Sequence, residues 1–185
     1  MVPPDYANYF IASTGASAAL LGLLFVSVSI APERIFGTAA QSGHQALALS
    51  SFTALANAFF ISLSGLIPNV PFGLFVIIAG TIALSQSLSL LRTFPDWRRE
   101  GRLLRGITLF VAAVSIYGSE LFIGVAIYAN RSDGNLVAVL VQLLLAVFAM
   151  GLVRAWELLG APHARGIASG AVDWVEGKLD KTGKP

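Results

Sequence analysis

Glu120 stands in an apolar stretch, Ile107 to Tyr128, that holds no other Asp, Glu, Lys, Arg or His. A carboxyl group in that setting could take up and release a proton, or hold a small cation, away from bulk water. A charge near a bilayer centre costs roughly 2.5–3.5 kcal/mol on insertion scales, so the group needs compensation. No Lys or Arg lies in the apolar runs of the chain to supply it. Glu120 must therefore be carried protonated, hydrogen-bonded by neutral groups, hydrated in a cavity or bound to a cation. Tyr117 lies one turn before it and Gly124 one turn after it, on the same helical face.

Polar residues of other runs reach a similar depth. Asn57 is near the middle of the second run, Gln142 is two turns into the fifth, and Ser13, Thr14 and Ser17 are in the outer half of the first. Ser62 and Ser64 occupy the outer half of the second run. The candidate site is a cluster of Glu120, Tyr117, Asn57, Gln142, Ser13 and Thr14, serving as a protonatable or cation-binding group in a transport pathway. The alternative is a neutral glutamic acid hydrogen-bonded across helices, a contact worth about 0.6 kcal/mol on average. Ser85-Gln86-Ser87-Leu88-Ser89 is a second polar strip, read as interfacial solvation.

Other chemistries lack their residues. The chain has no Cys, and both histidines, His44 and His163, fall outside the apolar runs, so no metal and no cofactor is expected. Lysine occurs only at Lys178, Lys181 and Lys184, which removes an intramembrane Schiff base. No GxSxG elbow, intramembrane Asp pair, P-loop or HExxH is present, and an enzyme is not expected.

The elements that must position Glu120 follow from charge distribution. Of 185 residues 56% are apolar and 12% charged, against about 25% charged in soluble domains. Tyr6 to Ala31, Ala46 to Ile67, Val70 to Leu91 and Leu136 to Val153 contain no Asp, Glu, Lys, Arg or His. Each run can cross a hydrocarbon layer of roughly 30 Å, which takes about 20 helical residues. The fold class expected is an all-α membrane protein. Its five transmembrane helices lie near residues 6–31, 43–67, 70–91, 105–129 and 135–156, in one unit over 1–160 with a cytoplasmic tail at 161–185. Pro32 ends the first span, Ser42-Gly43-His44-Gln45 caps the second, and Ile67-Pro68-Asn69-Val70-Pro71 forms a tight turn to the third. Met1-Val2-Pro3-Pro4-Asp5 has no basic region, so no cleaved secretory signal is expected.

With five spans, 11 of the 12 basic residues fall on one side and only Arg131 on the other. The expected orientation is N-terminus outside and C-terminus cytoplasmic. A three-span variant, with two runs forming a buried hairpin, would keep the same parity. Tyr6, Tyr9 and Tyr128 mark the outer boundary, and Phe36, Phe94, Trp97 and Trp156 the inner one. Arg98, Arg99, Arg102 and Arg105 beside Trp97 are expected at anionic headgroups of the cytoplasmic leaflet. In the tail, Ile167, Ala171, Trp174, Val175 and Leu179 make an apolar stripe on a short helix. That helix either lies on the leaflet, anchored by Trp174, or packs on the 92–106 loop or a partner.

The first span carries the small-residue pairs Ala12/Ala16, Gly15/Ala19 and Ala18/Gly22, read as tight packing within the protein rather than a dimer face. Gly73 and Gly80 in the third span, and Gly106, Ala113 and Gly124 in the fourth, are read the same way. The segment Gly15-Ala16-Ser17-Ala18-Ala19-Leu20-Leu21-Gly22-Leu23-Leu24-Phe25-Val26-Ser27-Val28-Ser29-Ile30 resembles the first span of small bacterial integral membrane proteins. The resemblance implies a bacterial inner-membrane location and no particular activity. Two functions compete: a channel- or transporter-like protomer in a homo-oligomer, and a non-catalytic accessory subunit of a larger membrane complex. The uncompensated carboxyl favours transport. The partners expected are the bilayer, anionic headgroups and other membrane subunits, with no nucleic acid.

Overall fold

The computed structural model describes residues 2–30, 32, 42–89, 91, 103–130 and 134–158; the side chains of 42–44, 103–105 and 157 lie outside that description. Pro4 opens a single 3-10 turn, Pro4–Tyr6, where its fixed φ and missing N–H suit a first helical turn. Five α-helices follow: α1 Ala7–Ile30, α2 Ser42–Leu66, α3 Phe72–Ser89, α4 Leu103–Ala129 and α5 Gly134–Leu158. All five are long and apolar enough to cross a membrane, as a multi-pass membrane protein requires.

The α2–α3 connection is as short as its prolines suggest. Pro68 cannot continue α2, Asn69 takes a left-handed φ of 62°, and the Phe72 N–H donates to the Val70 carbonyl at 2.8 Å to start α3. This turn and the N-terminus share one end of the bundle, the turn end. The other end holds Arg154.

Burial along the helices follows alternating steps of three and four. The inward stripes are Phe10, Ser17 and Leu24 on α1; Gly73, Val76, Gly80, Ala83 and Ser87 on α3; Ala113, Tyr117, Glu120, Gly124 and Ile127 on α4; and Val137, Leu140, Leu144, Val147, Gly151 and Arg154 on α5, with Phe72 on α3 and Ile123 on α4 buried beside them. A 3.5-residue repeat presents one seam to a neighbouring helix, the pattern of bundles whose ridges and grooves interlock at small crossing angles. Helix α2 buries more of its surface because it is central: α1 packs on one side of it, α3 and α5 on others. Helices α2, α3, α4 and α5 close into a ring of four in that order, so α2 and α4 face each other across the diagonal.

The tightest approach is between α3 and α4. A Cβ at Gly73 would stand 2.5 Å from the Tyr128 nitrogen and 2.8 Å from the Gly124 carbonyl oxygen, so the two backbones touch there. Gly80 repeats the contact against Leu121 at 3.4 Å. The small residues of α1 behave differently from expectation. Nothing lies within 4 Å of a Cβ at Gly15 or Gly22, and Ala12, Ala16, Ala18 and Ala19 are exposed with them. The physical reason is helical phase: α1 meets α2 with the Phe10, Ser17 and Leu24 stripe, and the small residues fall on the other faces.

Two apolar clusters fill the ring. The larger, at the turn end, holds Phe10, Ile61, Phe72, Val76, Ile123, Ile127, Val137, Leu140 and Leu144, with Phe10 edge-on to Phe72 at 5.7 Å. The smaller, toward Arg154, holds Ala54, Ala83, Ala113, Tyr117 and Val147. The expected headgroup contacts Trp97, Arg98, Arg99 and Arg102, and the tail helix around Trp174, lie outside the described residues. Arg105 falls in α4 without a described side chain.

Candidate functional site

Glu120 sits on the inward stripe of α4, three residues after Tyr117 and four before Gly124, and is fully buried with 0% exposure. Asn57 projects from α2 on the opposite side of the ring. Its Nδ2 donates to Glu120 Oε2 at 3.1 Å. Because α2 and α4 are diagonal helices, this bond crosses the middle of the bundle. The two remaining acceptors, Glu120 Oε1 and Asn57 Oδ1, are buried with no hydrogen-bond partner among the described residues.

Tyr117, 2% exposed, joins this pair to a second polar group nearer the Arg154 end. It lines a cavity of about 20 Å³ together with Ser50, Thr53, Gln86, Ser87 and Arg154, enough for one water molecule. Arg154 is 9% exposed, and its guanidinium donates to Ser50 Oγ at 3.1 Å. The Thr53 hydroxyl is within reach of Gln86 Oε1 and of the Leu49 carbonyl. The Tyr117 phenol lies within electrostatic reach of both Glu120 and Arg154. Arg154 lies roughly 6 Å from the end of α5 at 1.5 Å per residue, so the cavity is near that end of the bundle.

Of the expected cluster, the structure brings together Glu120, Asn57 and Tyr117. Gln142 does not join them: it is exposed on the outward face of α5, two residues from buried Leu140 and Leu144 and so about half a turn away from both. Ser13 and Thr14 form a separate group at the turn end. Ser62 Oγ donates to Ser13 Oγ at 2.8 Å, the Ser17 hydroxyl caps the Ser13 carbonyl, and Thr14 Oγ1 is buried with no partner among the described residues. The Tyr9 hydroxyl donates to the Val141 carbonyl at 3.3 Å, tying α1 to α5.

Two inward residues escaped the reading by charge and composition. Arg154 falls within the expected fifth span of 135–156 but counts there only among the basic residues of the cytoplasmic side; α5 carries it on the buried seam. Gln86 was expected to solvate an interface and instead lines the cavity. The signal for Arg154 was its phase, seven residues after Val147. Among the described residues no group of three or more His, Cys, Asp or Glu could hold a metal ion. Comparison of the chain with protein families, with curated proteins and with solved structures gives no match.

Proposed function

We propose that this protein is a non-enzymatic, channel- or transporter-like protomer for a proton or small cation, with Glu120 as the group that takes and releases it. The observation that carries the reading is the fully buried Asn57–Glu120 pair, with one acceptor oxygen on each residue lacking a partner among the described residues. A glutamate kept only for packing is expected to satisfy both oxygens, because a buried acceptor without a bond costs about 1–3 kcal/mol. Glu120 Oε1 and Asn57 Oδ1 together can receive a proton or a cation. Five helices enclose little room, which favours a homo-oligomer as the working unit. The location read from the basic residues is the inner membrane with the N-terminus outside and Arg154 toward the cytoplasm, where anionic headgroups would meet the remaining arginines.

Reconstitution in liposomes tests this. The wild-type protein is expected to pass protons or a small cation faster than empty vesicles, and Glu120→Gln to abolish that flux. Equal flux from both proteins, or none from either, removes the role of Glu120.

A second reading, a non-catalytic subunit of a larger membrane complex, is supported by the outward small-residue face of α1. Such a face suits close helix approach by a partner. Purification from the native host in mild detergent distinguishes the two, since a homogeneous assembly of this chain alone counts against the accessory role.

A further inference from the structure

Resting on the transport reading, we propose that Glu120 carries a proton rather than a metal cation. The structure assigns its exchange route to the Arg154 end of the bundle, through the cavity and the Tyr117 hydroxyl, with the apolar cluster at the turn end closing the opposite way.

Ligand count separates the two kinds of ion. Glu120 and Asn57 offer three side-chain oxygens, and one of these, Glu120 Oε2, already accepts from Asn57 Nδ2. That leaves Glu120 Oε1 and Asn57 Oδ1. Hard divalent cations take six or more oxygens in a fixed shell, and no other carboxylate stands near among the described residues. A proton needs one oxygen. Arg154 strengthens the distinction, since a guanidinium at the mouth of the route opposes a metal cation, while a proton can pass by exchange along hydroxyls without crossing it as a bare charge.

The route follows from position. Tyr117 is on the turn of α4 next to Glu120 and also forms part of the cavity wall, so one side chain is shared by the site and the cavity. In the forward step Tyr117 turns its hydroxyl toward Glu120 Oε1, with which it makes no hydrogen bond in the resting structure, and gives up its O–H proton as a cavity water, itself resupplied with a proton from bulk, reprotonates the Tyr117 oxygen. One proton is delivered, Tyr117 ends neutral and water remains. The titratable or charged group with a described side chain that lies beside Glu120 is Tyr117 on its own helix, with Arg154 of α5 beyond Tyr117 at the cavity; the described side chains of α2 and α3 include none, and Tyr9 on α1 and Tyr128 on α4 lie toward the turn end. On that side Ile61, Ile123, Ile127, Leu140 and Leu144 are all buried, and the Ser62 and Ser64 hydroxyls there donate to Ser13 Oγ and the Ile61 carbonyl rather than toward Glu120.

The test is infrared spectroscopy on the purified full chain in detergent, following the protonated-carboxyl stretch that Glu120→Gln removes. After a pH jump the wild-type band is expected to relax quickly, and Tyr117→Phe and Ser50→Trp, which blocks the cavity, to slow that relaxation at least tenfold. Ile82→Trp, which adds a bulky ring on the exposed outward side of α3, is expected to keep the wild-type rate, which separates blockage from general disturbance of the bundle. Saturating sodium, potassium, magnesium or calcium chloride is expected to leave the band unchanged at fixed pH. Displacement of the band by any of these cations, unaltered kinetics in both blocking variants, or no such band at any pH at which the protein stays folded overturns the proposal. Liposome flux keeps the two readings apart. Sodium or potassium flux lost in Glu120→Gln leaves transport standing and overturns the proton assignment. A band that relaxes through Tyr117, in a protein that passes no ion, supports the route and removes transport.

Discussion

Asn57 Nδ2 reaches Glu120 Oε2 at 3.1 Å between helices that are diagonal in the ring, so the bond spans the bundle without help from a packed α2–α4 seam. Helices α3 and α5 fix the distance between its two ends, and neither residue can follow the other if one is removed.

That geometry predicts strong coupling between the two positions. Asn57→Leu should cost about 1–3 kcal/mol, because it takes the remaining donor from a buried carboxyl. The double substitution Asn57→Leu, Glu120→Leu should recover most of the loss, since it leaves no buried polar group behind. The coupling energy from the full cycle should lie above the average of about 0.6 kcal/mol for polar pairs between membrane helices and reach toward their maximum of about 1.7 kcal/mol. Reversible unfolding in mixed micelles measures it, and additive single substitutions would show that the two side chains act independently.

How much of this was legible in the sequence depended on whether the signal was one of composition or of phase. The five helices follow from uncharged length, which burial does not alter. Glu120 stood out because a carboxyl is rare inside such a run, and Asn57 joined it on depth alone. Depth does not say which way a side chain points. Gln142 has the right depth, but it lies half a turn from the Leu140 and Leu144 seam and is exposed. Arg154 keeps the seam's step of three and four, and its charge disguised it as a flanking residue. The glycines repeat the lesson: Gly73 and Gly124 lie on seams and make the α3–α4 contact, whereas Gly15 and Gly22 lie off the α1 seam. The diagonal placement of α2 and α4 depends on the order of helices around the ring, which no single-helix pattern encodes.

Gly73→Ala and Gly15→Ala should therefore part company, although both add one methyl to a membrane helix. At Gly73 the added carbon meets backbone atoms at 2.5 and 2.8 Å, which no rotamer change can relieve, so α3 and α4 must separate. Overpacking of this kind costs about 1–3 kcal/mol. At Gly15 the carbon meets nothing within 4 Å, and the change should stay within about 0.5 kcal/mol for the isolated chain. Thermal melting in detergent checks both, and a Gly15→Ala loss as large as that of Gly73→Ala would mean that the outward face of α1 is packed in the assembled protein.

The position of α1 can be read chemically because the chain has no cysteine of its own. Ser62 Oγ and Ser13 Oγ are 2.8 Å apart, and Phe10 presses on Gly65 so closely that a Cβ there would be 3.1 Å from the ring. Together these contacts fix the rotation of α1 on α2. Cysteines introduced by Ser13→Cys and Ser62→Cys should therefore form a disulfide within one chain under mild oxidation, since the two side chains already meet at their tips. The pair Ser13→Cys and Gln142→Cys should not, because Gln142 points away from the bundle on α5. Non-reducing electrophoresis, with maleimide labelling of any thiol left over, reads both outcomes. Efficient bridging of Ser13→Cys to Gln142→Cys within one chain would place α5 in a different rotation and bring Gln142 back toward Glu120. Phe10→Ala should lower the yield of the first pair, because loss of the ring leaves α1 held mainly by the serine bond and the Tyr9 hydroxyl on the Val141 carbonyl.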